Sequence, residues 1–190
     1  GACVTACNDG AARLWEISTG TGGVTTITAT ATSGSEPASP DGSSHLAIID
    51  FGSVATWKYT LIHDTNYGPS WSANGVNAIR LHLKGSIVNP SAIPNDKIKV
   101  QLREDGPSTT DLDDGERWSF NIGTAVQNNN STWTTITASL SSFVVDGGTQ
   151  KSGGTAGVLD LSMINQIRFF DNAINAQIKI RVDRIEAIKQ

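Results

Sequence analysis

Lys97–Arg103 reads KIKVQLR, in which Ile98, Val100 and Leu102 alternate with Lys99, Gln101 and Arg103. A period of two puts successive side chains on opposite faces of a β-strand. The same period runs through Asn77–Lys84 (NAIRLHLK), with Ile79, Leu81 and Leu83 on one face and Arg80, His82 and Lys84 on the other. It returns in Arg117–Ile122 (RWSFNI), where Trp118, Phe120 and Ile122 oppose Arg117, Ser119 and Asn121. Strands joined by short connections are usually neighbours. These three are therefore expected side by side, with one polar, locally cationic outer face. That face is either the wetted side of an antiparallel sheet or a platform whose Arg, His, Gln and Asn side chains hydrogen-bond a polyhydroxylated ligand.

Outward from this centre the pattern continues. Strands are expected at Val24–Thr32, His45–Phe51, Thr56–Ile62, Thr132–Ser139, Gln166–Phe170 and Gln177–Ile188, with SSFVV (141–145) close behind the Thr132 strand. Gly, Pro, Asn and Ser clusters bound them. Helical periodicity is limited to one turn around Leu161–Ile164, which Asp160 or Ser162 can cap. About ten short strands separated by turns predict an all-β fold, a β-sandwich jelly roll of two antiparallel sheets. Residues 1–190 read as one domain. Residues 1–12 read as a linker or processed terminus, and 33–44 (SGSEPASPDGSS) as a long loop.

Composition agrees. Charged residues make up 17% of the chain, while Ser, Thr and Asn number 19, 20 and 13. A helical bundle would instead be rich in Ala, Glu, Lys and Leu, and a disordered tail would lack the 38% of hydrophobic residues. The net charge of −4 supplies no overall basic field for nucleic acid. No apolar run approaches the ~18 residues of a membrane span. A secreted or cell-surface protein is the expectation, and a monomer. Cys3 and Cys7 leave three readings open: a small-loop disulfide, two free thiols, or a lipoprotein processing site at Cys7.

Motifs for chemistry are scarce. The chain has no nucleophile elbow, P-loop, dinucleotide fingerprint or HExxH. His45, His63 and His82 lie far apart, each on an expected strand. Acidic residues gather in Glu104–Glu116 (EDGPSTTDLDDGE), read either as a solvated hairpin loop or as a calcium loop built on Asp111, Asp113, Asp114 and Gly115. Among the aromatics, Trp118 belongs to the core by its period and Trp133 reads as structural. Trp57 and Tyr59 share one undetermined face. Tyr67 and Trp71 sit in the turn-rich HDTNYGPSWSANG (63–75), where surface aromatics either plug a sheet edge or stack on sugar rings.

Four segments in order carry a resemblance: NAIRLHLKG; KIKVQLRED followed by ERWSFNIG; WTTITASLSSF; and VLDLSMINQIRFF followed by IKIRVDRIEAI. Together, from Asn77 to Ile188, the chain resembles the family-eleven-like jelly-roll carbohydrate-binding modules of bacterial glycanases. The resemblance implies a concave sheet that binds a plant or algal cell-wall polysaccharide, of the β-glucan type, without catalysis, and that targets a catalytic domain in the same polypeptide. Arg80, His82, Gln101, Arg103, Asn121, Tyr67 and Trp71 are the candidate sugar-binding residues. The resemblance also implies a structural calcium ion, with Asp183 of VDRI as one ligand and Glu16 and Asp41 as the others. The usual acidic opening of the family is absent, and so is its row of cleft tyrosines, since Tyr59 and Tyr67 are the only two. Two rival functions remain: a jelly-roll polysaccharide lyase or hydrolase on an acidic glycan, with His82 beside Arg80 and Arg103, and a protein-interaction or adhesin domain.

Overall fold

The structure is a computed structural model. It describes residues 15–19, 26–31, 45–53, 56–63, 67–88, 95–104, 115–128, 132–149, 154–172, 174 and 176–190. Eleven strands appear among them: β1 Trp15–Thr19, β2 Thr26–Ala31, β3 His45–Asp50, β4 Lys58–His63, β5 Ala78–Val88, β6 Ile98–Glu104, β7 Glu116–Asn121, β8 Thr134–Ser139, β9 Val144–Val145, β10 Ile164–Asp171 and β11 Gln177–Ile188. They form two antiparallel sheets. One has six strands in the order β1-β4-β10-β6-β7-β9; the other has five, β2-β3-β11-β5-β8. This is the expected jelly-roll sandwich. The segments read as strands from period-2 alternation are strands, and the expected turn at Leu161–Met163 is a 3₁₀ turn capped by Asp160, whose Oδ1 accepts from Ser162 N–H at 2.9 Å.

One expectation about neighbours fails. β5 and β6 are consecutive strands, yet β5 lies between β11 and β8 in the five-stranded sheet and β6 between β10 and β7 in the other. The chain crosses from one layer to the other between them. Alternation reports which face a residue takes but not which sheet carries it. β5 and β6 therefore both point their apolar residues into the sandwich, and their polar residues point in opposite directions.

Both sheets bury the expected faces. Ile79, Leu81 and Leu83 of β5, Ile98, Val100 and Leu102 of β6, and Ile178, Ile180 and Val182 of β11 meet Ile167 and Phe169 of β10 in one core. Two short helices were not anticipated. α1, Tyr67–Asn74, sends Trp71 into this core, and α2, Gly123–Asn128, lies across β5. α2 fits because β5 carries Gly85 beneath it: a Cβ there would overlap the Val126 carbonyl oxygen. Here glycine is required by close approach.

The sandwich interior also holds a charge pair. Lys58 Nζ lies 2.9 Å from Asp171 Oδ2 with both side chains fully buried. The two residues are register partners on β4 and β10, on the inner face with Ile62, Ile167 and Phe169. Asp171 also accepts the Ile174 N–H at 2.9 Å. Burial nevertheless pushes its carboxyl above the ordinary value. Removing one partner of a buried pair strands the other charge. Asp171→Ala is therefore expected to cost about 3–5 kcal/mol in urea unfolding, and Lys58→Met/Asp171→Leu to recover most of that loss. A single variant as stable as the parent would show that the pair does not hold β4 to β10.

Candidate functional site

The face of the six-stranded sheet that turns away from the core is built from cross-strand rows. Register aligns Tyr59 of β4, Phe170 of β10, Lys99 of β6 and Asn121 of β7 in one row. A second row holds Leu61, Arg168, Gln101, Ser119 and Val144. A third holds Gln166, Arg103 and Arg117.

The rows differ in access. Arg103, Gln166, Arg168, Gln101 and Ser119 are buried although they point away from the core. Arg168 Nε donates to Gln166 Oε1 at 2.9 Å, and Arg103 Nη2 donates to the Gly115 carbonyl at 3.2 Å. Asp146, just past β9, gathers three donors on one oxygen: Ser119 Oγ at 2.6 Å, Lys99 Nζ at 2.9 Å and Gln101 Nε2 at 3.0 Å. Burial opposes the ionisation of Asp146, but these bonds and the Lys99 charge outweigh it and hold the carboxyl below its ordinary value.

The first row is the more open one, although Tyr59 within it is buried. Trp57, immediately before β4, is 44% exposed and stacks on Tyr59 with ring centroids 5.9 Å apart and planes 14° apart. The Arg168 guanidinium carbon stands 4.3 Å from the centre of the Tyr59 ring. A cation over an aromatic ring is attracted by the ring quadrupole, so the buried second row fixes the platform of the first. Phe170 is half-buried and Asn121 exposed. The lane Trp57–Tyr59–Phe170–Lys99–Asn121 thus offers apolar ring faces at one end and amide and ammonium groups at the other.

The candidate residues are redistributed. Gln101, Arg103 and Asn121 lie on this face. Arg80 and His82 do not: they are on β5 of the other sheet, where Glu186 accepts from His82 Nε2 at 3.2 Å and from Arg80 Nη1 at 3.4 Å. The constellation of His82, Arg80 and Arg103 required for a lyase is therefore split between opposite faces. Trp71 is 2% exposed and fills the core from α1, so it is not a surface aromatic. The turn-rich composition of 63–75 hid a helix whose Trp71 faces inward. Tyr67 begins α1, and its side chain lies outside the described residues, as do Cys3, Cys7, Asp41 and the acidic loop 105–114.

Of the carboxylates proposed for calcium, Asp41 and the side chain of Glu16 lie outside the described residues. Glu16 is on β1, opposite Leu61 in the six-stranded sheet, whereas Asp183 is on β11 in the other. Asp183 is buried at the irregularity between Val182 and Arg184, next to the end of the β3 ladder at Val182–Ala47. Among the described residues no group of three or more His, Cys, Asp or Glu side chains is placed to hold a metal ion.

Four residues of the lane were missed or left unassigned from sequence, Lys99 among them, which the alternation placed on the outer face but not among the binding candidates. Trp57 and Tyr59 lacked a face until β4 was placed. Phe170, with Gln166 and Arg168, shares one face by the alternation of QIRFF, a signal that was present but had no neighbour to join. Asp146 follows a strand of two residues, too short to show a period.

With this geometry in view, solved structures supply the comparison. The family 11 carbohydrate-binding module of the cellulosomal cellulase Lic26A-Cel5E of Clostridium thermocellum is 24% identical, with a TM-score of 0.65 over 93% of this chain and 88% of that one. The chain has the fold of a family 11 carbohydrate-binding module. A Clostridium thermocellum family 11 module in complex with a β-1,3-1,4-mixed-linked tetrasaccharide is 22% identical, with a TM-score of 0.63 over 94% of this chain and 90% of that one. An exo-β-agarase contains a similar fold at 12% identity and a TM-score of 0.55, over 97% of this chain and 25% of that one. No family model and no curated protein sequence matches the chain.

The Asp146 hub predicts a pH effect. Its folded-state value lies below the ordinary 3.8, so its contribution is present above that pH and lost as pH falls through the folded value. Asp146→Asn is expected to flatten this part of the stability–pH curve measured by urea unfolding between about pH 5 and pH 2. An unchanged slope would mean that the hub does not couple to folding.

Proposed function

We propose that the chain is a non-catalytic module that binds a neutral β-linked glucan along the Trp57–Asn121 lane. The observation that carries this reading is the row itself. Its members stand on successive strands about 4.8 Å apart, close to the roughly 5 Å length of a β-linked pyranose unit. Four strands therefore present contacts to about three or four successive sugars. The apolar C–H faces of the sugars suit Trp57 and Phe170, and their hydroxyls suit Asn121 and Lys99. Asp146, the carboxylate beside the lane, is held ionised by three donors and is thus poorly suited to act as an acid. The likeness to a module solved with a mixed-linkage tetrasaccharide supports the ligand class.

The benefit of such a module is proximity. If a glycan-degrading domain is joined to it, binding raises the concentration of that domain at the polymer. Secretion or display at the cell surface belongs to the same reading. Affinity electrophoresis in mixed-linkage β-glucan tests it. Trp57→Ala should weaken binding at least about tenfold, or about 1.4 kcal/mol, and Asn121→Ala a few-fold, with no release of reducing sugar by the parent. Unaltered retardation of Trp57→Ala would move the ligand off this lane.

Calcium stays in the proposal through Asp183 alone, a buried carboxylate at a ladder irregularity. A hard cation needs six to eight oxygens, and the described residues supply this one candidate. If the ion binds, it stabilises the fold by about 2.7 kcal/mol at a free concentration of 100 times its dissociation constant. Chelator should then lower the melting temperature of the parent but not of Asp183→Ala; an identical drop in both, or none in the parent, removes the ion from the account.

A further inference from the structure

A hydroxyl, an imidazole and a carboxylate that are far apart in the sequence meet on the outer face of the five-stranded sheet. β5 pairs with β8 on one side and with β11 on the other. His82 of β5 is the direct cross-strand partner of Thr135 on β8. Glu186 lies on β11 opposite Arg80, one step diagonally from His82. His82 Nδ1 is 3.1 Å from Thr135 Oγ1, and His82 Nε2 is 3.2 Å from Glu186 Oε2. The three grade from the surface inward: Thr135 is exposed, and the His82 and Glu186 side chains are 13% and 9% exposed.

The donor and acceptor roles follow from the carboxylate. Arg80 Nη1 lies 3.4 Å from Glu186 Oε2, and Arg184 Nη1 3.6 Å from Oε1. Burial opposes the ionisation of Glu186, but its bond to His82 and the neighbouring charges hold the carboxyl below its ordinary value. An ionised carboxylate only accepts. Nε2 therefore carries the proton, and in the neutral ring Nδ1 is left to accept from the Thr135 O–H. Branching at Cβ restricts χ1 of threonine, which helps to hold the hydroxyl on the ring. A hydroxyl bonded to a base that a third group orients is the arrangement that activates oxygen nucleophiles. Thr137 supplies a contrast within the same chain. It is exposed on the same face two residues along β8, but its cross-strand partner is Arg80, whose side chain has no acceptor.

We propose that Thr135 is an O-acylation site, a hydroxyl that takes an acyl group from an activated ester with His82 as its base. Oγ1 attacks the ester carbonyl carbon and forms the new C–O bond. The leaving oxygen departs with the electron pair of the C–O bond that breaks. The Thr135 proton passes to His82 Nδ1 and then to the leaving oxygen or to water, and Glu186 balances the imidazolium in between. Glu186 is a positioning residue, because it acts on Thr135 only through the ring. The acyl group stays on the chain, so no glycan is cleaved and the module remains non-catalytic toward its polymer. The site lies on the opposite side of the sandwich from the Trp57 lane, and the inference does not rest on that lane.

The test exposes the full chain to p-nitrophenyl acetate at neutral pH and locates the acetyl groups by peptide mass spectrometry. Thr135 should be acetylated at least about tenfold faster than Thr137, a conservative share of the roughly 10²–10⁴-fold that a positioned general base supplies. His82→Gln should abolish that preference. Glu186→Gln, whose amide can also donate to Nε2, should lower it several-fold and release the ring from its single tautomer. ¹⁵N NMR of the imidazole reads that tautomer directly, and in the parent it should show Nε2 protonated and Nδ1 bare. The proposal is overturned by equal acetylation of Thr135 and Thr137, by a preference that survives His82→Gln, or by a parent ring that carries a proton on Nδ1. If His82→Gln does not fold, the comparison of the two threonines within the parent and the spectrum of its ring decide the matter without a variant.

Discussion

The buried pair of Lys58 and Asp171 fixes the central strand of the six-stranded sheet, and the outer face depends on it. A strand alternates with a period of two, so sliding β10 by one residue would turn every side chain over. Asp171 inside, 2.9 Å from Lys58, is compatible only with Ile167 and Phe169 inside and with Gln166, Arg168 and Phe170 outside. A slipped β10 would bury Arg168 in the core and leave Lys58 without its carboxylate. Ion pairs in cores contribute little net stability against an apolar replacement. Their effect here is on register, and through register on which residues reach the outer face.

The two outer faces each have a carboxylate that collects donors, with opposite results. Asp146 takes Lys99, Gln101 and Ser119, so the polar second row is internally satisfied and rigid. What remains accessible is the edge row of rings and amide. On the other sheet Glu186 is also held below its ordinary value, against the opposing effect of burial, by its bond to His82 and the charges of Arg184 and Arg80. There Arg80, Lys179 and Arg184 reach the surface while paired with Glu186 or Asp50.

The sandwich was legible because its strands alternate cleanly. Ile98, Val100 and Leu102 point inward whatever sheet they join. The same pattern could not show that β5 and β6 part company, since two strands of opposite sheets have identical inward faces. Thus Gln101 and Arg103 were grouped with Arg80 and His82, which lie on the far side. Trp71 shows a second limit. Gly68, Pro69 and Gly75 around it resemble turn residues, but Gly68 and Pro69 lie in the first turn of the eight-residue α1, where proline is tolerated, Gly75 closes it, and the sandwich end offers a large side chain a place to bury. Gly85 shows the reverse case. Its place in LKG looked like family pattern alone, yet it marks where α2 lies on β5.

Burial also changes what the predicted binding residues do. Gln101 and Arg103 point outward as expected, but the Gln101 amide donates to Ser119 and Asp146 and Arg103 Nη2 donates to the Gly115 carbonyl. A ligand contacting them directly would have to displace existing bonds, at a cost near what it gains. Their effect on affinity then comes through position: Gln101 steadies Asp146, Asp146 holds Lys99, and Lys99 sits in the exposed row beside Phe170 and Asn121. Arg168 does the same at the other end by lying over Tyr59, on which Trp57 stacks. Under the proposed function, a lane braced from beneath would lose little side-chain freedom on binding, and that saving, rather than the number of hydrogen bonds, would let a shallow surface hold a flexible polymer.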